Sequence, residues 1–508
     1  MDIVLRPGKV TSFLLVCLLN LFLFASQGRT QAAPAQSTPA APTGQQPPAN
    51  SPATDGKNPL PRPQQPEKKI SPKDAEALFQ SVDQILKFVS EDTGLPIKSE
   101  VKRRLASREE VVAYLEKSMS EDKDAKRLQR SELVLKKFGL LPQDFDLKTF
   151  LVSLLREQVA GYYDPKTKTV NLLDWLDADE QKPVLAHELT HALQDQSFDL
   201  RKWMREDDPS EIDDIENPTW ADFAGDEMDT AREAVVEGQA MVPLMDYMLA
   251  PVGKSLASSP ELARYMVDAM LNGEQDLPEF KSAPIFLQES LTFPYRYGME
   301  FTAELLKAGG KEMAFAGAFA RPPENSRQVM EPKTYLSNEH LAPLPLPDYK
   351  ADFKNYDRFD IGAIGEFDVA VLIEQYAGRD ASQAMYPAWR GGYYYAVRSK
   401  GNTAAPLAVV FLSRWADAAS AGKFAAIYVG GLPARYKQVS GADDPASKPL
   451  IKAQLPPSLE GTHRFKTEQG DVVLEVKDNN VLITESLDSD TTERLEQNLL
   501  ASAPAAAK

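Results

Sequence analysis

One short segment of the sequence combines residue types and spacing that could do chemistry, the pentapeptide HELTH at residues 187–191. The whole chain has only 4 His, and two of them lie four positions apart here. Residues at i and i+4 share one face of a helix, so His187 and His191 are spaced to bind one metal ion. Glu188 is offset from them and is placed to take the proton of a metal-bound water. The pattern predicts zinc-dependent hydrolysis; the alternative is a helix with two His on a solvated face.

Catalytic zinc normally takes three protein ligands, and the pentapeptide supplies two. In one class of zinc protease the third is a His six residues beyond the second, but that position is Ser197 here, and the preceding Gly position is Gln194. This class is therefore excluded. The segment AREAVVEGQA offers Glu233 and Glu237, four positions apart among Ala and Val. Burial of an unpaired carboxylate is costly, and a metal ion would supply the partner for either one.

HELTHALQD resembles the active-site helix of thermolysin-type enzymes, which are gluzincins, with two His and one Glu on zinc. EGQA at residues 237–240 resembles the EGxA element that carries the third ligand in collagenase-like and aminopeptidase-like gluzincins. Roughly residues 75–340 are similar to a group of secreted bacterial HExxH proteins. The resemblance implies one Zn²⁺ held by His187, His191 and Glu237, with Glu188 as the catalytic base. Glu233 would then stand behind the ligands or line the cleft.

Other residues are candidates for supporting roles around this site. Asp195 lies four residues beyond His191 and could orient an imidazole, or it is a solvated residue near the helix end. An oxyanion formed on a substrate needs a donor beside the metal. The tyrosines that could donate, each of which could instead belong to the core or the cleft wall, are Tyr162, Tyr163, Tyr247, Tyr295 and Tyr297.

Two β-prone runs, VAGYYD and TVNLLD, come directly before the HELTH segment. Asp164 and the residues after it form a turn signal between the runs, which predicts a hairpin. An extended peptide can add to the free edge of a sheet through main-chain hydrogen bonds. We expect one of these two strands to form the edge that binds the substrate.

The composition limits the classes of partner. The chain has 508 residues and a net charge of -17, which disfavours nucleic acid and anionic membrane surfaces because both require a basic face. Hydrophobic residues make up 43% and charged residues 26%, as in a globular protein with a substantial core. The single Cys excludes a disulfide within the chain.

The N-terminus has the pattern of an export signal. A basic start, an apolar run over residues 13–25 and then small residues predict a signal peptide over residues 1–28, with cleavage as late as residue 35. An uncleaved membrane anchor is the alternative, and only then would we expect a membrane partner. Residues 32–70 are rich in Ala, Pro and Gln, which predicts a disordered linker. We therefore expect a secreted or periplasmic protein.

The remaining sequence predicts an α+β fold. Residues 72–158 show apolar positions with a period near 3.6, which indicates an N-terminal helical region. Residues 159–350 contain the hairpin, the HELTH helix and a second helix from about residue 227, and we expect a mostly helical zincin-like catalytic domain with a small edge sheet. Residues 355–503 alternate strands and helices, which predicts a smaller α+β C-terminal domain.

These features predict a secreted zinc-dependent peptidase, in which Glu188 activates a zinc-bound water to attack a peptide or protein substrate. One alternative is a metal-free, catalytically inactive zincin-fold protein that serves binding or scaffolding in the cell envelope. Another is a membrane-tethered interaction protein whose C-terminal unit is the functional part. The sequence leaves the substrate, endo- or exopeptidase action and the oligomeric state open.

Overall fold

A computed structural model describes residues 69–501, with gaps at 112, 114–121, 159–160, 206–211, 213–214, 273–277 and 442–456. The predicted signal peptide and all but the last two residues of the predicted linker lie outside the described residues. The described chain has the predicted α+β fold, with a helical N-terminal part and a sheet-rich C-terminal domain. None of the helices within these ranges has the length and apolar character that a membrane crossing requires.

The elements of the N-terminal region that are described in full are three helices and one strand, and residues 108–111 are also helical. Its elements are α1 (Pro72–Thr93), β1 (Lys102–Ala106), α2 (Asp122–Phe138) and α3 (Leu147–Gln158). The N-cap of α1 is Ser71, whose hydroxyl accepts the Asp74 N–H at 3.1 Å. Gly94 ends the helix in the left-handed conformation, with φ of 76°.

The central region holds the hairpin and the two helices that carry the candidate ligands. Its first elements are β2 (Tyr162–Asp164), β3 (Thr169–Leu173), α4 (Ala178–Phe198), α5 (Leu200–Trp203) and α6 (Trp220–Leu249). The elements that follow are α7 (Leu262–Asn272), α8 (Pro278–Ser282), α9 (Ile285–Glu312), α10 (Ala318–Ala320), α11 (Ser326–Met330), α12 (Pro332–Leu336) and α13 (Tyr349–Asp352).

The three strands before the HELTH helix form one small sheet in the order β1-β3-β2. β3 is central, because it pairs in parallel with β1 and antiparallel with β2. β2 therefore lies at an edge, whereas both sides of β3 are occupied. Of the two strands expected to bind a peptide, β2 is the one at an edge of the described sheet.

Helix α6 begins earlier than the sequence predicted. The expected start was about residue 227, but the helix starts at Trp220. Thr219 and Asp222 form a capping box, in which the Thr219 N–H donates to the Asp222 carboxylate at 2.6 Å. Phe223, in the first turn of the helix, is buried. The capping box and this buried apolar side chain stabilise a helix in a segment whose acidic composition had predicted a loop.

Helices α6 and α9 cross in close contact at two glycines. A Cβ added at Gly238 would lie 2.0 Å from the Gly298 carbonyl carbon and 2.2 Å from its oxygen. A Cβ added at Gly298 would lie 2.2 Å from the Ala234 oxygen. Both distances are shorter than van der Waals contact, so this approach requires glycine on each helix. α6 also packs against α4 on another side, and the crossing therefore fixes the helix that carries Glu237.

We expect Gly238→Ala to lower the free energy of unfolding by about 1–3 kcal/mol, because the added methyl group forces the two helices apart. Chemical denaturation of both proteins measures the difference. Gly225→Ala on the same helix is the matched control, since its Cβ would meet only the flexible end of Arg205 at 3.2 Å. That variant should be neutral or stabilised by helix propensity, and equal destabilisation of the two variants would contradict the close-crossing account.

The C-terminal domain is built on a seven-stranded sheet in the order β4-β5-β6-β10-β9-β8-β7. Its strands are β4 (Tyr356–Ala363), β5 (Trp389–Ser399), β6 (Ala408–Trp415), β7 (Val439–Ser440), β8 (Gly461–Thr467), β9 (Gly470–Lys477) and β10 (Asn480–Glu485). Its helices are α14 (Glu366–Ala377), α15 (Arg379–Met385), α16 (Ala418–Gly430), α17 (Leu432–Arg435) and α18 (Ser489–Ala501). The paired strands are antiparallel throughout.

A buried ionic cluster joins α2 to this domain. Glu485 of β10 is fully buried, and its carboxylate lies 2.8 Å from Arg435 Nη2 and 3.7 Å from Lys137 Nζ. The hydroxyls of Tyr428 and Tyr436 also donate to it. Burial opposes ionisation of Glu485, but Arg435 and Lys137 outweigh it and hold its pKa below the ordinary value of 4.5. The carboxylate is thus the common partner of both cations.

We expect Glu485→Gln to lower the free energy of unfolding by about 3–5 kcal/mol near neutral pH, because two buried cations lose their counter-charge. The folded-state pKa of Glu485 is depressed, so its contribution is present above the unfolded pKa and is lost as pH falls through the folded value. The difference between wild type and variant should therefore narrow below pH 4.5. Denaturant unfolding at a series of pH values measures this difference. Glu475→Gln, at a half-buried position on β9, is the control. A difference in the free energy of unfolding between wild type and Glu485→Gln that does not change with pH would contradict the prediction.

Candidate metal centre

Helix α4 places the HELTH residues in the interior of the protein. Its N-cap is Asp177, whose side chain accepts the Asp179 N–H. Every residue from Val184 to Asp195 is buried, so the polar side of the helix does not face solvent. The alternative of two His on a solvated helix face is therefore excluded. The polar side contacts α6 and strand β2 instead.

Three side-chain atoms from α4 and α6 converge on one point. His187 Nε2 lies 3.0 Å from His191 Nε2 and 3.1 Å from Glu237 Oε2. His191 Nε2 lies 3.5 Å from the same carboxylate oxygen. Relative exposures of 0% for His187 and 4% for both His191 and Glu237 show that water is nearly excluded. The three donors lie within 4.8 Å of one another and could hold a metal ion.

The protonation states of the three groups are set by burial and by one another. Burial lowers the pKa of His187 to about 4, which leaves its imidazole neutral. Burial opposes ionisation of Glu237, but His191 and His187 beside it outweigh this and hold its pKa at about 2. Burial likewise disfavours a charged His191, yet the Glu237 carboxylate raises its pKa to about 9. A cation among the three would take the place of the His191 proton.

Glu188 lies beside this group and is anchored to the hairpin. Its Oε2 accepts the backbone N–H of Tyr163 at 2.7 Å. Its Oε1 is buried and has no hydrogen-bond partner within the described residues. Burial raises the pKa of Glu188 to about 8, against the opposing effect of His191. A carboxyl group with a pKa near neutrality is suited to accept a proton and return it.

Two glutamines that the sequence analysis did not assign complete the centre. Gln194 Oε1 lies 2.9 Å from His191 Nδ1, and Gln194 Nε2 donates to Gln239 Oε1 and to the Val236 carbonyl, both at 3.0 Å. Gln239 in turn donates to the Ala314 carbonyl at 2.7 Å. The pair fixes the His191 ring and joins α4 to α6. The only sequence signal was position, since Gln194 is three residues after His191 and Gln239 two after Glu237.

The prediction that Asp195 orients an imidazole is wrong. Its carboxylate accepts the Tyr163 hydroxyl at 2.6 Å and the Lys168 ammonium at 2.5 Å, and Gln194 takes the place at His191. Asp195 therefore connects α4 to the hairpin rather than to the metal ligands. The i+4 spacing from His191 was a correct observation, but Gln194 occupies Nδ1 of that ring, and the hairpin offers the carboxylate a cation and a hydroxyl instead.

Glu233 lies on α6 one turn before Glu237 and is buried. Its Oε1 has no hydrogen-bond partner within the described chain. Burial, reinforced by the neighbouring Glu237 carboxylate, raises the pKa of Glu233 to about 8. Glu233 is therefore not one of the three converging donors, and its place agrees with the residue behind the ligands that the resemblance implied.

The five candidate tyrosines lie in different places. The ring of Tyr295 lies 6.2 Å from that of His187, whereas the Tyr163 hydroxyl is already bound to Asp195. Tyr247 packs edge-on against Phe88, and Tyr297 packs against Phe293 and Arg296. Tyr162 is buried in β2. Among the described residues, Tyr295 is thus the candidate tyrosine whose ring lies near the ring of a candidate ligand.

Comparison of the chain with protein-family models, with curated proteins and with solved structures gives no match. The centre is therefore interpreted from its own geometry and chemistry.

We expect Gln194→Ala to weaken the binding of a metal ion, with zinc as the probe ion, about 10–100-fold, because the His191 ring loses the hydrogen bond that orients it. Competition with a chelator of known affinity measures the change. Gln196→Ala is the matched control on the same helix, since Gln196 bonds only the backbone of Lys98 and Ser99. Equal zinc affinity in the two variants would show that Gln194 does not support the ligand.

Proposed function

We propose that this protein is a zinc-dependent peptidase of gluzincin type with a zincin-like catalytic domain. The observation that carries the proposal is the convergence of His187, His191 and Glu237 on one buried point, with Glu188 beside them. The two His and one Glu come from helices that are distant in sequence, so their meeting depends on the whole central region. The export pattern at the N-terminus supports a secreted or periplasmic location.

The donor set fits one zinc ion. Two neutral imidazole nitrogens and one carboxylate oxygen form the ligand set of several catalytic zinc sites, which keep a further position open. Two Nε2 atoms at 3.0 Å can satisfy each other only when one carries a proton, whereas a cation would satisfy both. The buried carboxylate supplies the negative charge that a divalent ion needs in a site of low polarity.

Bound zinc would supply a Lewis acid that polarises a peptide carbonyl and lowers the pKa of water. Glu188 performs the proton transfers, and Oε1 is the atom that takes part because Oε2 is held by the Tyr163 N–H. The side chain can then release this proton to the amine that leaves the scissile bond. Gln194 keeps the His191 ring in place during these steps.

Strand β2 is the part of the molecule best placed to hold an extended peptide. It is an edge strand, and its Tyr163 N–H points away from β3 to the carboxylate of the proposed base. A peptide paired to this edge would bring its backbone to Glu188. Tyr295, whose ring lies near His187, is the favoured donor to the oxyanion that forms on the substrate.

The alternative is a catalytically inactive zincin-fold protein that binds or scaffolds in the cell envelope. The observation in its favour is burial, since Glu188 is 1% exposed and His187 is inaccessible. A substrate carbonyl must reach these groups for hydrolysis. The alternative lacks both the metal and cleavage, which makes the two functions separable by experiment.

We expect Glu188→Gln to retain about one zinc per chain and to lose peptide cleavage by about 10²–10⁴-fold, because the base is removed while the ligands stay. His187→Ala should lose both zinc and cleavage. Elemental analysis measures the metal, and a proteome-derived peptide library digested by each protein measures cleavage and reports the preferred sequence. Asp179→Asn, an exposed change on the same helix, is the matched control and should match wild type.

Zinc that stays bound in wild type, with no cleavage of any library peptide, would contradict the peptidase. Wild-type protein that binds no zinc and cleaves no library peptide would support the metal-free scaffold instead.

A further inference from the structure

A cationic pocket lies where α2 meets the C-terminal domain, in elements that the peptidase proposal does not use. Its volume is ≈ 280 Å³. The charged side chains that line it are Lys136, Lys137, Arg398 and Arg435. No Asp or Glu is among the described residues of its wall. Because the chain has a net charge of -17, four cations in one concavity are not the by-product of a basic surface.

The carboxylates around the pocket balance only part of this charge. Lys136 is neutralised by Glu132, at 2.6 Å. Lys137 and Arg435 share the single carboxylate of Glu485, which leaves one positive charge on this cluster.

Arg398 adds a second positive charge. Its guanidinium stacks over the Phe359 ring at 4.7 Å, and no ion pair joins it to another described residue. Its cross-strand neighbour Asp357 is exposed. Exposed Glu468 also acts on Lys137 from outside the wall. The wall itself therefore carries an excess of positive charge, a condition that favours a bound anion.

Unused hydrogen-bond donors lie on the same wall. Arg435 has a side chain that is 2% exposed, and its Nε is buried with no hydrogen-bond partner among the described residues. The Nε of Arg398 is likewise buried and has no hydrogen-bond partner among the described residues. Buried donors are normally satisfied, and one left without a partner costs about 1–3 kcal/mol. Two such guanidinium groups in one pocket indicate a missing acceptor.

We propose that this pocket binds one small oxyanion, a carboxylate or a phosphate group carried by a small molecule, between Arg398 and Arg435. Guanidinium groups present paired N–H donors that match the oxygens of both anions. Lys136 and Lys137 add charge from α2, so the bound anion would join that helix to the sheet of the C-terminal domain. The pocket is distant in sequence from the metal centre, and the inference does not depend on the peptidase function.

Titration of the full chain with inorganic phosphate and with succinate, against sodium chloride at equal ionic strength, tests this. Calorimetry should show saturable binding with a stoichiometry of about one for at least one of the two anions. Binding of phosphate alone would identify a tetrahedral oxyanion as the ligand, and binding of succinate alone would identify a carboxylate. Binding of both would show that the pocket accepts either oxyanion. Arg398→Gln should bind about tenfold more weakly, because a charge-assisted hydrogen bond is lost.

Two further variants make the test selective. Arg464→Gln removes a half-exposed arginine elsewhere on the same sheet and should bind as wild type does. Ala404→Glu places a carboxylate on an exposed position of the pocket wall and should abolish binding without disturbing the core. The proposal is overturned if neither anion saturates beyond the chloride control. It is overturned equally if Arg398→Gln and Ala404→Glu bind as wild type does, because the anion would then be adventitious.

Discussion

The contact between the backbones of α6 and α9 at Gly238 and Gly298 is the constraint on which the metal centre depends. Glu237 directly precedes Gly238, so the depth of the crossing sets where this carboxylate lies relative to α4. A side chain at either glycine would meet main-chain atoms that cannot rotate away. The absence of a side chain at Gly238 and Gly298 allows the close approach of the two helices. This approach sets the distance between Glu237 and the two histidines of α4.

The polar side chains of the centre are buried in the protein interior. Buried polar atoms require partners, and most of those in this site find them on a different element. Gln194 and Gln239 join α4 to α6 and to the carbonyl of Ala314, while Tyr163 holds one oxygen of Glu188. The atoms that keep no partner within the described residues include Glu188 Oε1, which lies where a reaction would take place.

Periodicity and motif spacing predicted much of this arrangement and failed at identifiable points. The α+β fold and the shared helix face of His187 and His191 follow from local patterns, since helix geometry places i and i+4 together. Glu237 was assigned from the resemblance of EGQA to the EGxA element, because no local pattern connects it to the two histidines. The start of α6 was missed because the capping box and Phe223 outweigh an acidic composition. The partner of Asp195 was missed because Lys168 and Tyr163 come from the hairpin. Which element a polar side chain meets is a property of tertiary packing, and one sequence does not encode it as a pattern.

The pairing of β1 with β3 bears on how the chain is matured. β1 belongs to the N-terminal region, yet it forms one side of the strand that stands next to β2. α1 packs on the HELTH helix from the same region, and α2 enters the ionic cluster around Glu485. Removal of residues 72–158 would expose a sheet edge and a core face together, so this region belongs to the folded body of the protein. Under the proposed function, proteolytic maturation would therefore have to cut the chain before residue 72.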